Sequence, residues 1–363
     1  MKKRLFIFAG EPSGDLHGAD LMQDLDFEFF GVGGPKMRAQ GLDEILPMEA
    51  FCVMGISAVL KALPRLYRQF YQVARAILES KPDGVILIDY PGFNLRLMRY
   101  LRKQGYKGRI IQYVAPSVWA HGKKRADHLA KYADLLLVLY PFEKAHFPKI
   151  EVHYIGNPLL KSLKKPRKKK PLIALFPGSR GHEIKANLPA LKEVALRIQE
   201  KHPKLEIAIS AASEKAASLI GEPVRFDTHT LMEEASLALA VSGTVTLELA
   251  LRETPTLVCY KVPRLMHFVA RWIARVDLEH FCIVNILMNR RLLPEFYSVQ
   301  LDIDAMEQAA EELLKKNPEL SEIRKALEGG EEAASVITQL LEQTGPDCDR
   351  GSDRRSCKAC AEA

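Results

Sequence analysis

The chain has 363 residues, 47% of them hydrophobic and 27% charged, with a formal net charge of +7. That length predicts two domains, each able to bury its own core, and the balance of residue types excludes general disorder. The modest positive surplus favours approach to an anionic membrane or a phosphorylated substrate; with no recognised nucleic-acid module in the chain, no nucleic-acid partner is expected.

The start, Met1-Lys2-Lys3-Arg4-Leu5-Phe6-Ile7-Phe8, imitates a secretion signal. Its apolar core is short and runs at once into Glu11 and Asp15, so it reads as a strand, and the protein is expected to be cytoplasmic. No apolar run approaches the ~18 residues that span a bilayer. The strand runs into Gly10, and Glu11-Pro12-Ser13-Gly14-Asp15 opens a helix read over Leu16–Leu25, with Ser13 and Asp15 as its caps. Phe27–Val32 is a short strand, followed by the tight loop Gly31-Val32-Gly33-Gly34-Pro35. Gly84–Asp89, Arg109–Val114 and Leu135–Leu139 are near-continuous aliphatic runs, the signature of buried parallel strands, with helical stretches between them.

Between these strands, Met54 to Arg68 is unusually apolar for a segment carrying three cations. Met54, Ile56, Val59, Leu60 and Leu63, with Arg65 and Arg68 at the periphery, suit insertion into an anionic interface. An amphipathic core helix is the rival reading, and the same choice stands for Leu265–Arg275.

Lys161 to Pro171, centred on a run of lysines and arginine flanked by two prolines, reads as a solvated linker. It divides a first domain over 1–163 from a second over 172–320. The second repeats the rhythm, with strands at Leu172–Phe176, Leu205–Ile209, Leu237–Val241 and Thr256–Tyr260. Residues 321–342 are helical with a break at Gly329-Gly330, and 343–363 form a polar tail expected to be disordered. Cys52, Cys259 and Cys282 read as reduced core residues; Cys348, Cys357 and Cys360 of the tail lack the further ligands of a zinc site. Two Rossmann-like α/β domains facing across a cleft, with C-terminal crossover helices, describe the glycosyltransferase B architecture.

In open parallel sheets ligands bind beyond the carboxyl ends of the strands, so chemistry is sought there. Ser242-Gly243-Thr244 follows a strand and opens the helix Val245–Arg252, offering unpaired backbone N–H groups to a diphosphate. Glu248, one turn on, could accept both hydroxyls of a ribose, or be a surface glutamate on a capped helix. In the loop Gly178-Ser179-Arg180-Gly181, Arg180 can steady a departing nucleoside diphosphate; the alternative is a salt bridge to Glu183. Asp89 ends an apolar strand, where partial desolvation would raise its pKa and suit it to general-base work. Glu11 stands likewise at the end of the first strand, placed to bind sugar hydroxyls or support that base. No histidine spacing suggests a metal, so no metal or other cofactor is expected, and a full dinucleotide fingerprint is absent.

Several ordered segments resemble the lipid-A-disaccharide synthase family. They include Gly10-Glu11-Pro12-Ser13-Gly14-Asp15, Gly31-Val32-Gly33-Gly34-Pro35, Ile88-Asp89-Tyr90-Pro91-Gly92-Phe93-Asn94 and Tyr113-Val114-Ala115-Pro116-Ser117-Val118-Trp119-Ala120. Pro141-Phe142-Glu143-Lys144, Ile155-Gly156-Asn157-Pro158, Leu175-Phe176-Pro177-Gly178-Ser179-Arg180 and Ser242-Gly243-Thr244 continue the series. The resemblance implies a metal-independent, inverting transfer at the cytoplasmic face of the inner membrane. The donor would be UDP-2,3-diacylglucosamine and the acceptor 2,3-diacylglucosamine 1-phosphate. It implies Asp89 as base, with Ser179, Arg180, Ser242, Gly243, Thr244 and Glu248 on the nucleotide. Asn285 and Glu295 would be later polar positions of the cleft, although the family often has Leu-Pro-Asn-Leu-Leu where this chain has Ile283-Val284-Asn285-Ile286-Leu287. It also implies a homodimer that exchanges C-terminal segments. Two rivals keep the fold: a UDP-sugar epimerase, and a non-catalytic UDP-sugar-binding regulator docked on membranes.

Overall fold

The structure, a computed structural model, describes residues 2–51, 56–116, 118, 124–162, 168–262 and 279–343; for 56–62, 161 and 162 it describes the backbone only. Met54, the side chains of Ile56, Val59 and Leu60, the segment Leu265–Arg275, and Cys52, Cys348, Cys357 and Cys360 lie outside the described residues.

The first lobe is one parallel sheet of β1 (Arg4–Ala9), β2 (Glu28–Gly33), β3 (Asp43–Pro47), β4 (Gly84–Ile88), β5 (Arg109–Tyr113), β6 (Leu135–Val138) and β7 (Glu151–Tyr154), in the order β3-β2-β1-β4-β5-β6-β7. Between them run α1 (Pro12–Asp24), α2 (Pro35–Ala39), α3 (Ile56–Ser80), α4 (Pro91–Lys103) and α5 (Lys124–Tyr132), and α6 (Pro158–Ser162) leads out. The second lobe holds β8 (Lys170–Phe176), β9 (Glu206–Ile209), β10 (Ala235–Val241), β11 (Thr256–Lys261) and β12 (Glu295–Ser298), in the order β12-β11-β10-β8-β9 and again parallel. Its helices are α7 (Gly181–Lys201), α8 (Glu214–Ile220), α9 (Thr228–Glu234), α10 (Thr244–Leu251), α11 (Ile283–Met288), α12 (Ile303–Lys315) and α13 (Ser321–Ala326); α14 (Ala333–Glu342) follows.

The pleat explains why the central strands are apolar throughout. Along β1, Phe6 and Phe8 enter one core, while Leu5, Ile7 and Ala9 enter the other on the opposite face. The strands absent from the sequence reading are β3, β7 and β12, all at sheet edges. Their residues are mostly half-exposed, so they lack the continuous aliphatic run that marks a central strand.

Two local expectations change. The first helix begins at Pro12, which suits an N-terminal turn because its missing N–H has no partner to lose there. Asp15 caps the next helix: its carboxylate accepts the backbone N–H groups of Gly34, Lys36 and Met37 at 2.8–3.0 Å. The linker also ends sooner than its charge suggests. Lys170 begins β8, and the Lys169 ammonium donates to the carbonyls of Glu233 and Arg252 and to the Thr254 hydroxyl. Burial lowers the Lys169 pKa to about 8.

Among the described residues, the lobes meet through side-chain packing and through the returning chain. Tyr140, Leu159 and Leu160 of the first pack against the cluster of Leu247, Leu251, Val284 and Ile323 in the second. Further on, the chain crosses back after α13. The Tyr154 hydroxyl donates to the Leu327 carbonyl at 2.5 Å, and the Glu331 N–H donates to the Tyr154 carbonyl at 2.8 Å. His153 lies between Glu151 and Glu331. Helix α14 then buries Ile337, Leu340 and Leu341 in the same cluster as Leu5, Ile7 and Ile86, each such side chain contributing roughly 1.5–3 kcal/mol. All these contacts lie within one chain.

At the crossing, a Cβ on Gly330 would stand 2.1 Å from the Gly156 nitrogen, a backbone atom that cannot swing aside. Gly330→Ala should therefore lower stability by about 2 kcal/mol or more, read as a fall in urea midpoint. An unchanged midpoint would show the crossover to be loosely seated.

Candidate functional site

Asp89 lies directly beyond β4, and its backbone is unusual. Both Asp89 (φ 47°) and Tyr90 (φ 46°) are left-handed, as is Val114 (φ 71°) beyond the neighbouring β5. Such conformations are strained for side-chain-bearing residues and persist only where the surroundings impose them. Here they do. The Asp89 N–H donates to the Tyr113 carbonyl at 2.8 Å. The Asp89 carbonyl accepts from the side-chain amides of Asn94 and Gln112. Gln112 is almost wholly buried and also donates to the carbonyls of Tyr113 and Val114, so one amide braces both strained turns. The Tyr90 hydroxyl reaches the Phe51 carbonyl at 2.9 Å, and its ring lies where a Cβ on Gly10 would come within 3.1 Å. The ends of β1 and β4 are thus tied together.

Burial pushes the Asp89 carboxyl above its ordinary range, against the opposing pull of the Tyr90 backbone N–H and of His17. Glu11, at the N-cap of α1, makes no capping bond with its side chain. Its carboxyl is raised by burial first and by the charge of Asp89 second, and is lowered by the Arg180 guanidinium. Glu11 therefore feels a carboxylate of its own lobe and a cation of the other. The structure brings these three sequence-predicted residues into one electrostatic neighbourhood.

Arg180 precedes α7. Gly178 adopts φ 102°, and a Cβ there would meet the Glu183 side chain at 2.8 Å, so the bare turn lets Glu183 fold beneath the loop. One oxygen of Glu183 accepts the Arg180 N–H at 3.3 Å, and the other pairs with its guanidinium at 3.1 Å. The salt bridge weighed as an alternative is therefore present. It leaves the Arg180 side chain 69% exposed, anchored at one edge and open on the rest. Ser179 beside it is exposed.

Gly243 is the N-cap of α10, with no side-chain cap on the first-turn amides, and nothing lies within 4 Å of where its Cβ would be. The Ser242 hydroxyl donates to the Phe281 carbonyl at 3.3 Å, which ties the turn to the segment before α11. Thr244 is exposed at the helix start. Glu248 lies 3.5 Å from both the Arg252 guanidinium and His229, partly occupied from below.

Asn285 is fully buried. Its carbonyl oxygen accepts the N–H groups of Leu292 and Leu293, and its amide donates to the Leu293 carbonyl. Its polar atoms brace that loop from behind. Glu295 is likewise occupied: one oxygen accepts from Phe281 and Cys282 N–H, and the other pairs with His280. Leu63, Arg65 and Arg68 lie on α3 with exposed side chains, beside exposed Tyr67 and Tyr71. No helix among the described residues is long and apolar enough to cross a membrane.

The sequence reading missed Gln112. Gln112 interrupts an aliphatic strand, and a polar residue inside such a run is a signal for a buried bracing role.

Two parallel α/β lobes joined in one chain define the glycosyltransferase B fold. Solved structures share it at low identity: a Staphylococcus aureus MnaA–UDP structure (TM-score 0.59, 14% identical, covering 94% of this chain and 96% of that one) and the calicheamicin glycosyltransferase CalG4 (TM-score 0.53, 14% identical, covering 95% and 100%). The family model for lipid-A-disaccharide synthetase matches residues 5–340. Curated lipid-A-disaccharide synthases include that of Chlamydia pneumoniae, 36% identical over 329 residues (82% of this chain, 54% of the relative), and that of Geobacter sulfurreducens, 34% identical over 337 residues (85% and 86%). The chain belongs to the lipid-A-disaccharide synthase family. It spans about half the length of the chlamydial relatives.

The position of Asp89 has a thermodynamic consequence. A carboxyl raised in the folded state contributes stability that is complete below its unfolded pKa and is lost as pH rises through its folded one. Asp89→Asn removes that loss and tolerates the left-handed backbone. The variant should be more stable than the parent at neutral pH, with the gap closing as pH falls below the ordinary carboxylate range. Thermal midpoints across pH test this; a less stable variant at neutral pH would mean that the carboxylate is a net structural asset.

Proposed function

We propose that the chain transfers 2,3-diacylglucosamine from UDP-2,3-diacylglucosamine to 2,3-diacylglucosamine 1-phosphate, forming a β-1,6-linked disaccharide and UDP. The feature that supports this reading is that Glu11, beyond β1, feels the charge of Asp89 in its own lobe and of Arg180 in the other. A base and a leaving-group cation across one cleft suit direct displacement.

In this reading Asp89 takes the proton of the acceptor hydroxyl as its oxygen attacks the anomeric carbon from the face opposite UDP. The bond from that carbon to the diphosphate breaks, and the charge leaving with UDP is met by Arg180 and the uncapped amides of α10. Ser179, Ser242, Gly243 and Thr244 line the diphosphate, Glu248 takes the ribose hydroxyls, and Asn285 and Glu295 hold the surrounding loops. Glu11 binds sugar hydroxyls and keeps Asp89 basic. One displacement inverts the anomeric centre and needs no covalent intermediate.

Incubation with both acylated sugars should release UDP. Asp89→Asn should abolish release, and Arg180→Ala should slow it by ~10²-fold or more. Full turnover by either variant would remove that residue from the site. Turnover of soluble UDP-N-acetylglucosamine without a lipid acceptor would mark an epimerase instead, and tight UDP binding with no turnover a regulator.

The acylated substrates call for docking on the cytoplasmic face of the inner membrane, and the exposed Leu63, Tyr67 and Tyr71 with Arg65 and Arg68 supply an apolar and basic face for it. Replacing Leu63, Tyr67 and Tyr71 with serine should weaken binding to anionic vesicles by about tenfold at unchanged thermal midpoint. Undiminished binding would move the contact elsewhere. The α14 contacts, made between two copies, would give the exchanged homodimer.

A further inference from the structure

Arg252 follows α10 and is 3% exposed; among the described residues no other arginine or lysine is buried to this degree. Its carbonyl accepts from the Lys169 ammonium at 3.3 Å, which pins the backbone there. The side chain reaches back along the helix. Nη1 donates to the Glu248 carbonyl at 3.0 Å and lies 3.5 Å from the Glu248 carboxylate, while Nη2 donates to Nδ1 of His229 on α9 at 3.0 Å. Nε has no hydrogen-bond partner, and the Glu233 carboxylate is 3.9 Å away. A methionine would fill the same space with no charge to desolvate, so the buried guanidinium asks for a reason.

A guanidinium donates and never accepts. Its bond to His229 therefore runs one way: Nδ1 gives its lone pair, and the proton of the ring sits on Nε2. That ring is 75% exposed, open to a ligand. Both close charged contacts of Glu248 are made by Oε2, and Oε1 accepts no hydrogen bond among the described residues. The two side chains stand at the ligand-binding end of the sheet. Glu248 is in the second turn of α10, which opens directly beyond β10, and Arg225, shortly before α9, bridges to Ser210 directly beyond β9. Arg252 thus holds a carboxylate acceptor and an imidazole donor side by side. A hydroxyl gives one proton and takes another, so such a pair matches it in both senses.

We infer that Arg252 is the positioning residue of the nucleoside site: it holds the Glu248 carboxylate and sets the His229 tautomer, so that the two together select a ribose over a sugar without hydroxyls. This role rests on the reading of Glu248 as the ribose acceptor. The ribose hydroxyls donate to Glu248, and one of them accepts from Nε2–H of His229. A sugar lacking both hydroxyls displaces water from the carboxylate and the N–H and returns no bond to either.

Titration calorimetry with UDP and with 2′,3′-dideoxy-UDP tests this. The parent should bind UDP at least ~30-fold more tightly than the dideoxy nucleotide. Arg252→Lys keeps a positive charge between Glu233 and Glu248 but has one arm where the guanidinium has two. In it the ratio should fall at least ~5-fold through weaker UDP binding, with the dideoxy nucleotide held within about twofold of the parent. A network that only fastened α9 to α10 would weaken both nucleotides alike and leave the ratio unmoved. His229→Ala, at an exposed ring, should narrow the ratio about threefold at unchanged thermal midpoint. A readout on the parent needs no Arg252 variant: NMR correlation of ring protons with ring nitrogens in mildly alkaline buffer should show His229 protonated on Nε2 and bare on Nδ1. An unmoved ratio in Arg252→Lys or in His229→Ala, or a proton on Nδ1 in the parent, overturns the inference. Glu248→Ala tests the reading beneath it and should bring the two affinities within about twofold of each other. A ratio retained in Glu248→Ala removes the ribose reading and the part of Arg252 with it; a ratio lost there but kept in Arg252→Lys overturns Arg252 alone.

Discussion

A carboxylate that works as a base must be ionised, yet the end of an apolar parallel strand resists ionisation. In the proposed reading this conflict falls on Asp89. The residue is raised in proton affinity by burial and held in a left-handed turn. The buried Gln112 amide holds the turn by its carbonyls. Strain in the backbone and desolvation of the side chain coincide at one residue, and both are imposed by surroundings that are otherwise well bonded. In the same reading the second lobe meets a departing anion with an uncapped helix start and a half-anchored arginine.

The salt bridge between Arg180 and Glu183 illustrates how anchoring and availability coexist. Glu183 is itself mostly buried and fixes one edge of the guanidinium, so less side-chain entropy remains to be lost when an anion arrives. Bridging Glu183 and meeting an anion are thus compatible roles for one side chain. Glu248 and Glu295 show the same economy, each holding a neighbouring loop or helix from within.

Much of this was legible in the sequence, for identifiable reasons. Central strands such as β4 and β10 are read from uninterrupted aliphatics, because parallel strands are buried on both faces. The turns carrying Glu11, Asp89, Arg180 and Ser242 are read from glycine or proline directly beyond those runs. Edge strands β3, β7 and β12 escape because half-exposed residues carry no strong period. The capping target of Asp15 escapes because its partners at Gly34 to Met37 are brought near only by the fold. For Asn285 the resemblance fixes the position, but not which way the amide faces. Only packing shows that its bonds run to Leu292 and Leu293. His17 escapes for a related reason: a lone histidine on a helix announces nothing until Tyr113 is seen beside it.

The return of α14 to the first lobe bears on biosynthesis. The face of the β1–β4 sheet carrying Leu5, Ile7 and Ile86 shares its cluster with Ile337, Leu340 and Leu341, which a ribosome makes more than three hundred residues after Leu5. Until they emerge, α1 covers that greasy patch on the earliest-made strands only in part. Lobe two, continuous from Lys169 to about Leu327, has all its own parts sooner. Order of synthesis and order of completion are therefore inverted, and the nascent first half is the natural client for a chaperone.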